Sequence, residues 1–247
     1  MATLDPIPLD PEEPFQFDCR PGLDCFTSCC RDLNQALTPY DTLRMRAHLQ
    51  MTSASFRDKY LQILPGPASG LPVATLRFAD HPQKHCPFVS AEGCRVYPAR
   101  PASCRMYPLV RALHRSRVDK RLSEHYALLR EPHCRGFEQS KTRTVRQWID
   151  DQALAAHLRM NDRLMTLIAL KNRLRPGPLS PDHWHWACAV FYDLDSFKQK
   201  IVSGETAVED ASALPIPPET AADDEQWLAW SLQWLRIELF GVFKDEP

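Results

Sequence analysis

The sequence predicts a mainly α fold: an irregular, cysteine-rich N-terminal module with at most a short β-hairpin, followed by an all-helical C-terminal half. Two observations carry this expectation. Eight of the nine cysteines lie between residues 19 and 134. From Thr142 onward, apolar residues recur at helical spacing instead. The corresponding division is an extended arm over 1–16, a cysteine-cluster module over 17–140 and a helical region over 141–247, the last interrupted by an acidic, proline-containing linker at about 203–224.

Each element has a local signal. Residues 1–16 are acidic and proline-rich, and residues 17–36 hold the first cysteine group in loop and short turns. Thr38-Pro39-Tyr40-Asp41 opens a helix: Thr38 caps it, Pro39 suits the first helical position and Asp41 meets the positive end of the dipole. Ser53 or Ser55 starts a second helix through Tyr60 and Ile63, which Pro65-Gly66-Pro67 ends. Residues 71–78 alternate as a strand does. Cys86 to Val89 and Cys94 to Tyr97 flank a turn at 90–93, giving the one small hairpin. Pro101 to Tyr107 reads as a helical turn. Helices are expected over 144–157, 160–174, about 182–202 behind the cap Ser180-Pro181-Asp182, and about 219–243.

Bulk properties exclude several function classes. The net charge of -1 favours neither nucleic acid nor an anionic membrane. No apolar run approaches the length of a membrane span. The N-terminus lacks a basic start followed by an apolar stretch, so a cytoplasmic setting with reduced thiols is expected. GxGxxG, GxxxxGK[ST], HExxH and GxSxG are absent.

The chemistry therefore lies in the cysteines. They form Cys19-x5-Cys25-x3-Cys29-Cys30, then Cys86-x7-Cys94-x9-Cys104, with Cys134 beyond. Thiolate is a soft ligand that selects zinc, copper(I) and iron–sulfur clusters. Structural zinc takes four ligands, and a [4Fe–4S] cluster takes about four thiolates. No CxxC knuckle occurs, which weighs against a zinc finger. Vicinal Cys29 and Cys30 point apart, which suits a wide cluster or two neighbouring centres. Spacing alone leaves zinc and iron–sulfur open. Cys94-Arg95-Val96-Tyr97-Pro98 recurs as Cys104-Arg105-Met106-Tyr107-Pro108, with Arg100-Pro101 between the copies. Arg95, Arg100 and Arg105 are read as groups that offset thiolate charge beside the cofactor. Cys188 has no companions and reads as a core thiol.

Phe17-Asp18-Cys19, Cys25, Cys29-Cys30, Leu37-Thr38-Pro39-Tyr40-Asp41, Cys86-Pro87-Phe88 and the run from Cys94 to Pro108 resemble the YkgJ-type cysteine-cluster family. That family has a CxxCxxCC signature and is considered a zinc- or iron-chelating domain. The resemblance covers about residues 17–137. It implies metal ligands at Cys19, Cys25, Cys29, Cys30, Cys86, Cys94 and Cys104, with Cys134 a further member. Related modules occur in flagellin lysine methylases, where an iron–sulfur centre is implicated. The resemblance thus implies a metal-binding protein with an iron–sulfur (4Fe–4S) or zinc centre, serving as a redox or methyl-transfer component. The alternative is a structural zinc or metal-handling and sensing module without catalysis. A protein partner is expected through the basic stretch 95–121 or the tryptophan-rich last helix. Neither membrane nor nucleic acid is expected as a partner.

Overall fold

The computed structural model describes residues 6–31, 36–78, 84–116, 121–205, 218–219 and 223–241. It corrects the expected fold class. Among the described residues, eight α-helices stand beside ten strands in four small antiparallel sheets, so the fold is mixed α/β.

The largest departure is a sheet of β8 (Leu109–Arg115) and β9 (Leu122–Leu128), joined by β1 (Ile7–Leu9) from the expected arm. β1 joins by long-range pairing, while β8 and β9 form a hairpin whose charged residues mask it. Arg111, read as part of a basic stretch, lies inside β8 with its guanidinium buried against Asp162 (2.6 Å) and Glu124 (2.8 Å). A charged side chain satisfied from elsewhere in the fold hides the alternation that marks a strand. A second three-stranded sheet joins β3 (Ala36–Leu37), β5 (Pro72–Leu76) and β4 (Leu61–Pro65). The expected strand at 71–78 is β5. The second helix stops at Tyr60, and its last expected residues enter β4. β2 (Phe15–Gln16) pairs with β10 (Thr142–Arg143). β6 (Val89–Ser90) and β7 (Gly93–Cys94) make the small hairpin.

Helix starts follow their caps. α1 (Pro39–His48) opens on a capping box between Thr38 and Asp41. α2 spans Ser53–Tyr60 and α3 spans Ala102–Met106. α4 (Val145–Asp151) opens on a second box between Thr144 and Gln147, and α5 spans Ala155–Leu174. The helix expected at 182–202 is two: α6 (Pro181–Tyr192) and α7 (Leu194–Val202). Asp193 leaves helical geometry between them and accepts a bond from Arg57 at 2.5 Å. α8 (Asp224–Phe240) starts at an Asp223 cap. Most of the linker expected at 203–224 lies outside the described residues.

Two hydrophobic clusters result. The larger joins α1, α2 and β5 to α5–α8 around Phe56, Phe197, Trp227 and Trp234. The smaller gathers Leu9, Phe15, Phe17, Met106, Tyr126, Phe137 and Trp148. Cys86 and Cys94 lean on the first and Cys134 on the second, so the thiols mark the seam between them.

Candidate metal centre

Hydrogen bonds between distant segments bring the cysteines together. Asp18 N–H donates to the Gly136 carbonyl (3.0 Å) and Phe17 N–H to that of Lys141 (2.9 Å), which sets Cys19 beside the Cys134 loop. Gly136 is needed there, because a Cβ would come within 2.4 Å of the Phe17 ring. Cys25 Sγ accepts the Arg135 N–H at 3.1 Å. The chain then turns through Ser28–Cys30, with Cys30 N–H on the Thr27 carbonyl at 2.9 Å. Thr27 has a φ of 66°, an uncommon conformation for a β-branched residue. Strain of this kind persists only where the surroundings over-determine it.

The two cysteine groups meet where Cys86 N–H donates to the Cys30 carbonyl (2.8 Å) and Arg31 bridges to His85. Phe26 lies over Gly93 at the hairpin turn, the Cβ position being 3.2 Å from its ring. Cys94 pairs with Val89 in that hairpin. Cys104 rides on α3, whose first amide, Ala102 N–H, donates to Asp41 Oδ1 at 2.8 Å. The same buried carboxylate meets His157 Nδ1 at 3.0 Å. Trp148 Nε1–H donates to the Arg105 carbonyl at 3.1 Å.

Electrostatics tie the eight thiols into one neighbourhood. Cys29 acts on Cys19, Cys30, Cys94, Cys104 and Cys134, while Cys86 acts on Cys30 and Cys104. Cys25 acts on Cys19 and Cys134. Burial, then the other thiols, pushes Cys19 up to about 11 and Cys104 up to about 12. Burial also raises Cys86, Cys94 and Cys134. The exception is Cys29, held down to about 7 by a hydrogen bond from Cys30, whose own thiol is driven up. One member of the vicinal pair thus ionises first. Cys19 and Cys29 remain open to solvent. Cys188 stands apart: burial alone raises it, and none of the eight acts on it.

The arginines divide. Arg95 and Arg100 lower Cys94, and Arg95 lowers Cys86. Arg95 donates to the Pro87 carbonyl, and Arg100 stacks on Tyr97 while reaching Gln152. Arg105 is buried and turns its guanidinium to the carbonyls of Pro98, Arg100 and Gln152. In the basic stretch, Arg117 and Lys120 lie outside the described residues. Trp227, Trp230 and Trp234 of α8 are buried in the chain's own core.

Sequence reasoning missed three features. An arginine directly follows Cys19, Cys30, Cys94, Cys104 and Cys134, a pattern visible in the residues yet noticed only for the repeat. Asp41 was read as a helix-dipole acid but also anchors α3. Tyr107, whose hydroxyl is sealed without a hydrogen-bond partner among the described residues, gave no signal.

The donor set fits a soft metal: thiolates in this number suit zinc or iron. Among the described residues, no three His, Cys, Asp or Glu side chains already stand in metal-holding positions. Ligation therefore needs the sulfurs to draw together as their protons leave. No helix of the described residues is long and apolar enough to cross a membrane.

No curated protein and no solved structure matches the chain. A family model does: that of the CxxCxxCC family, described as "Putative zinc- or iron-chelating domain", matches residues 18–146, more than half of the chain. Those bounds enclose all eight clustered cysteines and exclude Cys188. The chain belongs to the CxxCxxCC zinc- or iron-chelating domain family.

Proposed function

We propose that this chain holds a thiolate-ligated iron–sulfur centre of the four-iron type. Its ligands are drawn from Cys29, Cys30, Cys86, Cys94 and Cys104, with Cys19, Cys25 and Cys134 in reserve or serving a neighbouring centre. One observation carries the reading: the region that matches a zinc- or iron-chelating domain holds eight cysteines and leaves out the ninth. Eight donors exceed the four that one structural zinc or one [4Fe–4S] cluster takes, so the set has room for two neighbouring centres. Thiolates this close repel one another, and positive metal offsets that repulsion as protons leave. Cys29 would lose its proton first and so begin ligation. Arg95 and Arg100 offset residual charge, while Arg105 holds the loop between the repeat copies.

When bound, such a centre supplies one-electron redox chemistry or a site for methyl transfer. Solvent access at Cys19 and Cys29 supports a centre that a partner or substrate reaches, over a closed structural staple. Nine free thiols support a reducing setting such as the cytoplasm. In this reading residues 17–140 chelate, the strands of the 1–16 arm brace the smaller core, and 141–247 buttress the site through Trp148 and Gln152.

Anaerobic purification with iron, zinc and acid-labile sulfide analysis tests the assignment. A brown protein with stoichiometric sulfide is expected. A colourless protein with about two zinc ions, four thiolates each, would replace the cluster by zinc. Absence of both metals would end the reading.

A further inference from the structure

Away from the thiols, the β8–β9 hairpin sets two imidazoles side by side. Its register pairs Ala112 with His125 and His114 with Ser123. Directly paired residues share a face of the sheet, and neighbours along a strand alternate between faces. Ala112, His114, Ser123 and His125 therefore lie together on one face, and all four are exposed. The other face carries Arg111, Glu124 and Tyr126 and turns to Asp162 and the smaller hydrophobic cluster. His114 and His125 are diagonal neighbours, a relation that sets Cα atoms about 7–8 Å apart, within reach of long side chains. Ser123 closes the gap. Its Oγ lies 3.1 Å from His125 Nε2 and donates to the His114 carbonyl at 3.3 Å. The His125 ring thus leans along β9 towards the His114–Ser123 pair.

A neutral imidazole offers one nitrogen lone pair and suits zinc, nickel(II) and copper(II). Among the described residues, no carboxylate pairs with either ring; the histidines in ion pairs are His133 and His157. We propose that His114 and His125 form a metal site of their own, which takes a zinc-type divalent ion between the two strands. Each ring supplies one nitrogen, and water fills the remaining positions. The His125 ring exchanges its Ser123 contact for the metal. With two protein ligands the site is open, and its ion exchanges readily with metal in solution. No cysteine takes part, so the inference stands apart from the thiol centre. Because the ligands come from adjacent strands, the ion pins β8 to β9. That hairpin leaves the second repeat copy at Pro108, whose carbonyl accepts from Leu129 N–H at 2.8 Å.

Protection of histidine by zinc tests this in the full chain, purified anaerobically with whatever metal its thiols hold. Modification of each histidine by diethylpyrocarbonate is followed by peptide mass spectrometry at neutral pH, with and without added zinc. Exposed His48 is the internal control. Magnesium, which prefers oxygen ligands, is the control ion. At about ten times the midpoint zinc concentration, His114 and His125 should both react about tenfold more slowly, with one shared midpoint. His48 keeps its rate, and magnesium protects neither ring. In His114→Ala, zinc no longer protects His125; in His125→Ala, it no longer protects His114. Both variants replace exposed side chains, and circular dichroism verifies their fold. Equal rates with and without excess zinc overturn the proposal, as does protection of His125 that survives His114→Ala. Zinc taken up by the thiols alone leaves both rings at their unprotected rates, so failure of the thiol assignment and failure of this one are read separately.

Discussion

Residues 94–98 and 104–108 share the pattern Cys-Arg-x-Tyr-Pro, and the fold treats the two copies in opposite ways. In the first, Arg95 is exposed with a bond to one carbonyl, and Tyr97 is 56% exposed. In the second, Arg105 is 8% exposed with bonds to three carbonyls, and the Tyr107 hydroxyl is sealed. The residue between arginine and tyrosine differs as well. Val96 enters the larger hydrophobic cluster and Met106 the smaller one. The repeat therefore straddles the seam, with one copy as rim and the other as scaffold. Similar local sequence sets the cysteine in place twice; the tertiary surroundings decide what its neighbours do.

The sharpest way to break this asymmetry is to release the helix that carries the second copy. Asp41 is 1% exposed and accepts from Ala102 N–H, Thr38 N–H and His157. Asp41→Asn leaves buried donors without a charged acceptor. Hydrogen bonds to a buried charged group are worth about 1.5–3 kcal/mol each. Urea unfolding should show a loss of that size, with metal uptake at Cys104 impaired. A loss near zero would mean that α3 is held by packing alone.

A direct comparison follows from the two arginines. Arg105→Ala removes three bonds from a buried cation and strands three carbonyls, for a cost of about 2–3 kcal/mol. Arg95→Ala removes one exposed contact and should cost under about 0.5 kcal/mol. The same urea titration measures both. Equal losses would dissolve the distinction between rim and scaffold.

What the sequence made legible was what is local. The Thr38 and Asp41 capping box, the Ser180-Pro181 start and the hairpin around residues 90–93 depend on residues within a few positions of one another, and each is present. β8 and β9 form a local hairpin hidden by the charged residues over 111–121, and β1 depends on reaching β9 across most of the cysteine module. Composition signals neither. The thiol neighbourhood was legible because cysteine crowding is itself a statement about chemistry. The roles of Asp41 and Arg105 were not, since each has a partner far along the chain.

The smallest expected effect separates the two cysteines of the repeat by pH. Cys104 is pushed up to about 12 by burial and then by Cys86, Cys29 and Cys94. Cys94 is also raised by burial, but Arg100 and Arg95 pull it back. A thiol raised in the folded state favours folding while protonated, so its contribution is complete below the ordinary thiol value of 9 and is lost as pH climbs through the folded value. Metal-free protein should therefore lose stability between pH 9 and about 12, the window set by Cys104 with Cys19 at about 11. Cys104→Ser should flatten that decline more than Cys94→Ser does, because the larger shift has been removed. Thermal midpoints across the alkaline range measure the slope. Identical slopes in the two variants would mean that the repeat places both sulfurs in equivalent surroundings, and the asymmetry would then lie in the arginines and tyrosines alone.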